Sequence, residues 1–131
     1  MTNLTQDNNT ALVIEFYEAF NRRDLDAFDN ILAPEWINHP ADPGHENTPQ
    51  GFKGGVQDFH RAFENFSITR DAIVAQDDLV VCRITMTGRH VQPLGEWQPS
   101  GAPTTLYGMD MHRLENGRIV ATWHFERMEK E

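Results

Sequence analysis

Asn116-Gly117 sits between two runs of alternating side chains, Thr104 to Glu115 and Arg118 to Met128, and no other feature limits the fold of this chain as tightly. A two-residue type I′ turn needs positive φ at both central positions, which Asn and Gly tolerate best, so the pair predicts a β-hairpin. Counting outward from the turn fixes a register. It sets Glu115 opposite Arg118, Leu114 opposite Ile119, His112 opposite Ala121, Asp110 opposite Trp123 and Gly108 opposite Phe125. One face then carries Gly108, Asp110, His112, Leu114, Trp123 and Phe125; the other carries Met109, Met111, Arg113, Val120, Thr122 and His124.

Upstream of the hairpin the apolar period changes once. Val13, Phe16, Tyr17 and Phe20 recur at helical spacing, and Leu25, Phe28 and Leu32 predict a short second helix from Asp24 to Ala33, stopped by Pro34. Glu35 to His39 reads as a short extended segment followed by a polar loop rich in Pro and Gly. Gly54-Gly55 opens a third helix through Phe66, on the stripe Val56, Phe59, Phe63 and Phe66. Strands follow over Ile68 to Ala75 and Leu79 to Val91, turning at Asp77-Asp78. On the longer strand Val80, Cys82, Ile84, Met86, Gly88 and His90 share the apolar face.

Helices first and antiparallel strands afterwards is the order of an α+β domain whose helices cover one face of a sheet. At 131 residues, with no linker or repeat, the chain reads as one domain, 1–131. Both hairpin faces are substantially apolar, so a homodimer through the sheet is expected to cover the face the helices leave.

Charge and motif content remove several functions. A formal charge of −9 repels phosphate backbones, which argues against nucleic acid as partner. No apolar run is long enough to span a membrane, and Met1 to Asp7 lacks the basic-then-apolar pattern of a secretory signal. Cys82 has no second cysteine to pair with and reads as a small buried hydrophobe, which suits a cytoplasmic protein. His39, Asp42, His45 and Glu46 are ligand types without metal-site spacing, so no metal is expected. Gly51-Phe52-Lys53-Gly54-Gly55 lacks the rest of a phosphate loop, and no Gly-x-Ser-x-Gly occurs.

Asp110 is the candidate reactive group. A carboxylate on a mostly apolar face resists ionisation, and that raises its pKa toward the range where it can carry protons near neutrality. Gly108 beside it would leave room for a small apolar or aromatic substrate, which Trp123, Phe125 and Trp97, a lid residue, would hold against His112. His90 ends the inward face of the long strand as a donor or proton relay, and Asn38 and His39 bound a loop from which side chains can enter a cleft. His60 is expected in solvent and His124 in the subunit interface.

Gly88-Arg89-His90, Pro99-Ser100-Gly101 and the run from Gly108 to Trp123 together resemble the SnoaL-like polyketide cyclase family, within the nuclear transport factor 2-like superfamily. The likeness runs from the first helix to the last strand. It implies a cone-like α+β fold with a curved, mostly antiparallel sheet wrapped around helices, and dimers or higher oligomers through the sheets. It also implies an intramolecular aldol cyclisation of a polyketide ester without metal or organic cofactor. The family's acid/base aspartate falls on Asp110, the histidine closing the long strand falls on His90, and Asn38 or His39 lies near the pocket mouth. The family often has Pro-Thr-Gly where this chain has Pro99-Ser100-Gly101, and often an acid where His124 stands. Two rival readings are a non-catalytic ligand-binding or interaction domain, and a hydratase or isomerase using the same aspartate.

Overall fold

The computed structural model describes residues 4–130 of the chain; Met1, Thr2 and Asn3, part of the N-terminal segment considered above, lie outside them. Helix α1 (Leu4–Arg22) is followed by a 3-10 turn (Leu25–Asn30), strand β1 (Leu32–His39) and helix α2 (Pro49–Ala62). Strands β2 (Phe63–Gln76), β3 (Leu79–His90), β4 (Pro103–Glu115) and β5 (Arg118–Lys130) complete the chain. The sheet order is β1-β5-β4-β3-β2, antiparallel throughout except where β1 runs parallel to β5. This is the expected α+β architecture, with the core between the helices and the curled sheet.

Helix α1 buries Val13, Phe16, Tyr17 and Phe20, the stripe its spacing predicts. Phe16, Phe28 and Phe52 meet at ring separations of 5.3 to 5.6 Å, which joins α1, the 3-10 turn and α2 into one aromatic layer.

Three boundaries differ from the sequence reading. The segment after Asp24 tightens into a 3-10 turn and Leu32 already belongs to β1. Pro34 lies inside that strand rather than ending a helix, which an edge strand tolerates because one side of its backbone has no ladder to feed. Helix α2 starts at Pro49, capped by the Thr48 hydroxyl accepting from the Gly51 amide, and stops at Ala62. Pro at the first helical position loses no hydrogen bond, so the helix reaches back into what composition marked as loop. Phe63 to Phe66 then open β2 instead of closing the helix.

The hairpin turn is as predicted, with φ of 52° at Asn116 and 74° at Gly117, but the register is not. Glu115 pairs with Arg118 and Leu114 with Ile119; Arg113 then pairs with Ala121, leaving Val120 as an extra residue. This β-bulge moves every later partner by one, so that Asp110 faces His124, Met111 faces Trp123 and Met109 faces Phe125. Because strand side chains alternate, the slip exchanges the two faces of β5 beyond the bulge. Thr122 and His124 turn inward with Asp110, and Trp123 and Phe125 turn outward with Met109.

Candidate functional site

Asp110 lies at the floor of a small internal cavity of about 50 Å³, walled by Phe16, Phe20, Phe52 and Phe59 from the helices and Ile68, Ile84 and Met86 from the sheet. Its side of β4 is shut under α1, and Asp110 is only 7% exposed. Tyr17, in the middle of the α1 stripe, donates from its hydroxyl to Asp110 Oδ2 at 2.6 Å. The same hydroxyl lies 2.8 Å from His112 Nε2, and His112 Nδ1 lies 2.9 Å from Thr122 Oγ1. The Trp36 indole N–H donates to that Thr122 oxygen at 3.1 Å. Among the described residues Asp110 hydrogen-bonds through Oδ2 alone.

Burial is the main cause that lifts the Asp110 carboxyl to about 6, and the Tyr17 hydrogen bond opposes it. Burial acts in the other direction on His112, which falls to about 3 and is therefore neutral at physiological pH. The Cys82 thiol, cross-strand partner of Asp110, is pushed up to about 11 by burial and stays an unreactive thiol.

Asp42, Phe59, His124 and Glu126 line both this cavity and an outer vestibule of about 750 Å³, and so form the neck between them. His124 donates from Nε2 to the Pro40 carbonyl at 2.7 Å and from Nδ1 to the Glu126 carboxylate at 2.7 Å. Its pKa rises to about 9 although burial works against it, because the Glu126 hydrogen bond and charge outweigh that penalty. His124 is thus a fixed cation at neutral pH. Asp42 is lifted to about 6 by burial, against the attraction of His124. Its Oδ2 rests on Gly55 of α2, where an added Cβ would lie 2.1 Å away. Asn47 grips the Asn38 backbone on both sides, accepting from its amide and donating to its carbonyl, each at 2.8 Å. Asn38 Oδ1 is buried in the cavity wall with no hydrogen-bond partner among the described residues.

Apart from His90, the sequence-derived site residues divide into three groups. Asp110 and Asn38 line the cavity together, and Trp97 lines the vestibule on a tight turn closed by reciprocal backbone hydrogen bonds with Leu94. His112 and Gly108 are on the right face but do not line the cavity. His112 lies fully buried beneath Tyr17, and the space beside Gly108 is filled by Ile84, whose Cγ1 would be 2.9 Å from an added Cβ. His39, Trp123 and Phe125 are on the far side. His39 stacks on its β5 neighbour Trp123 at 5.1 Å, and Phe125, although 78% exposed, is among the residues that line the vestibule.

His90 is not brought to Asp110. Asp110 pairs with Cys82, eight residues back along β3. That is roughly 26 Å of extended strand. His90 is instead stacked on Phe63 at 4.5 Å. His60 is half-buried, bonded to the Phe20 carbonyl, rather than solvent-exposed. The loop histidines and acids diverge as well: His45 pairs with Asp58 at 2.6 Å while Asp42 turns to the neck.

Sequence reasoning missed Tyr17, Trp36, Asp42, Thr122 and the inward His124. Tyr17 carried a usable signal, since a tyrosine within a buried Phe stripe must find its hydroxyl a partner. The last two were lost to the unseen bulge.

The SnoaL-like polyketide cyclase family profile matches residues 11–128. No curated protein matches the chain in sequence. Among solved structures, TsrD from Streptomyces laurentii superposes with a TM-score of 0.82 at 26% identity, over 92% of this chain and 89% of its own. IdmH from Streptomyces antibioticus, described as a candidate polyketide cyclase, gives 0.76 at 28% identity, over 90% of this chain and 91% of its own. AclR from Streptomyces galilaeus, described as a candidate hydroxylase, gives 0.79 at 23% identity, over 95% of this chain and 82% of its own; at that identity it speaks for the fold alone. Among the described residues no helix is long and apolar enough to cross a membrane.

Proposed function

The chain belongs to the SnoaL-like polyketide cyclase family, and from that premise we propose that it closes a ring in a polyketide ester by intramolecular aldol condensation, without metal or organic cofactor and with Asp110 as the base. The observation that carries this reading is a buried carboxylate at a cavity floor, lifted to about 6 and still ionised at neutral pH. Such a group is basic enough to remove a proton from a carbon between two carbonyls and remains in its working form.

The vestibule of about 750 Å³ takes the body of an apolar, flat substrate between Trp97, Leu94 and Phe59, and the reacting carbon meets Asp110 through the neck. Asp110 removes the proton, the electron pair passes into an enolate, and the enolate carbon attacks the acceptor carbonyl of the same molecule. The alkoxide that forms takes the proton back. His90 is too far along the sheet to steady the enolate; the Asn38 amide, in the cavity wall, is the donor this reading uses. His124 has both N–H groups engaged, so it contributes positive charge beside the developing oxyanion rather than a hydrogen bond. A homodimer through the outer sheet face, where Tyr107, Met109 and Phe125 are exposed, completes the reading.

A second reading has its own support. The inner cavity of about 50 Å³ suits a water molecule beside Asp110 better than a ring, as a hydratase would require. Incubation with a candidate β-ketoester decides between them by product mass. Cyclisation without net addition of water, abolished in Asp110→Asn, supports the aldol; a hydrated product supports the alternative. Ring closure undiminished in Asp110→Asn would remove the proposed base.

A further inference from the structure

With Asp110 ionised and His112 neutral, as at pH 7, the chain Trp36–Thr122–His112–Tyr17–Asp110 can carry its protons in only one consistent order. An indole N–H donates and never accepts, so Thr122 Oγ1 receives from Trp36. An ionised carboxylate only accepts, so Tyr17 gives its hydroxyl proton to Asp110 Oδ2. Tyr17 can then meet His112 Nε2 only as acceptor, which puts the imidazole proton on Nε2. His112 is fully buried and neutral, so Nδ1 is bare and takes the Thr122 hydroxyl proton. The order is imposed from the Asp110 end; the Trp36 N–H is compatible with it, because a hydroxyl oxygen can accept while its own proton is donated.

We infer that Tyr17 and His112 are positioning residues for Asp110: a one-way run of neutral donors ends on Oδ2, occupies it as an acceptor, and reserves Oδ1 for the proton exchanged with substrate. Each member has spent its proton in the same direction, so the run holds the carboxylate without offering the collected proton a path to solvent. The Tyr17 donor also favours the ionised form in a cavity where burial disfavours it. The other titratable groups facing Asp110 are Cys82 from β3, His124 and Glu126 from β5, and Asp42 across the cavity from the loop after β1.

The inference rests on the proposed base only for its kinetic arm, so the test begins without substrate. In the full chain, ¹⁵N spectra of histidine should show His112 as the neutral Nε2–H tautomer at about pH 7 to 8, where Asp110 is ionised. The Asp110 carboxyl ¹³C titration, assigned against Asp110→Asn, should move up by about one pH unit or more in Tyr17→Phe. His112→Gln, which keeps an N–H directed at Tyr17, should stay nearer the wild-type midpoint than His112→Leu. Thr122→Val should leave the Nε2–H tautomer in place, because the Asp110 end alone imposes it. A cationic or Nδ1–H His112 in the wild type overturns the inference. So does an unchanged Asp110 midpoint in folded Tyr17→Phe or, if that variant does not fold, equal midpoints in the two His112 variants. If kcat/KM follows the shifted midpoint, both readings stand; if the midpoint moves and turnover ignores Asp110, the donor run stands and the catalytic base falls.

Discussion

The two faces of the β4–β5 hairpin are written into the same residues in alternation, yet they are different environments. Asp110, His112, Thr122 and His124 point inward, where burial displaces pKa values and the polar atoms of the donor run are matched to partners. Met109, Trp123, Phe125 and Arg127 point outward; there Tyr107 lies under the Arg127 guanidinium at 5.3 Å, beside an open groove of about 600 Å³ lined by Met109 and Phe125. Met109 and Asp110 are sequence neighbours. What makes one of them a candidate for chemistry is the helix that closes over it, not the local sequence.

Deleting Val120 would break this division most completely. Without the extra residue, Trp123 and Phe125 would be driven toward the cavity and His124 with its charge toward the outside. Loss of the cooperative melt by circular dichroism is the expected result, and a wild-type melt would show that the bulge does not set the faces. Next in size, Asp110→Asn should lower kcat by roughly 10²- to 10⁴-fold on any accepted substrate, the span of a lost acid/base group, measured by steady-state kinetics.

The same substitution should have an opposite effect on stability. The Asp110 pKa is raised on folding, from 3.8 to about 6, so between those values the folded state holds the extra proton and stability falls as pH rises. At pH 7 the ionised wild type carries a penalty of about 3 kcal/mol that the Asn variant lacks, and near pH 4 the two should converge. Urea titrations at both pH values check this; an Asn variant that is less stable at pH 7 would mean the carboxylate is well solvated. The smallest effect belongs to the outer face. Phe125→Ser should change monomer stability by no more than about 0.5 kcal/mol. If the outer face is a subunit contact, it should nevertheless raise the concentration at which the protein dissociates in sedimentation velocity.

Much of this was legible from residue order. The helical stripe of α1, the inward face of β3 and the Asn116-Gly117 turn follow from local periodicity and turn chemistry, which depend on neighbours in sequence. The placement of Asp110 was legible because β4 runs without interruption through it. Beyond the turn the register depended on Val120, an ordinary strand residue whose bulge nothing in the local sequence announces. Trp36, Asp42 and the partner of the Tyr17 hydroxyl were illegible for another reason: they come together from β1, the following loop and α1, and only the closed fold joins those segments.

Val120 also has a consequence for how such a protein can diverge. A strand that alternates between two surfaces resembles a message in two interleaved channels, and one added residue is a frameshift that swaps the channels downstream. Thr122 and His124 answer to the selective demands of the cavity, and Trp123 and Phe125 to those of the surface, because of a residue that touches neither chemistry. Insertions and deletions at that point would exchange a pocket lining for a contact surface in a single step, where point substitution would need many.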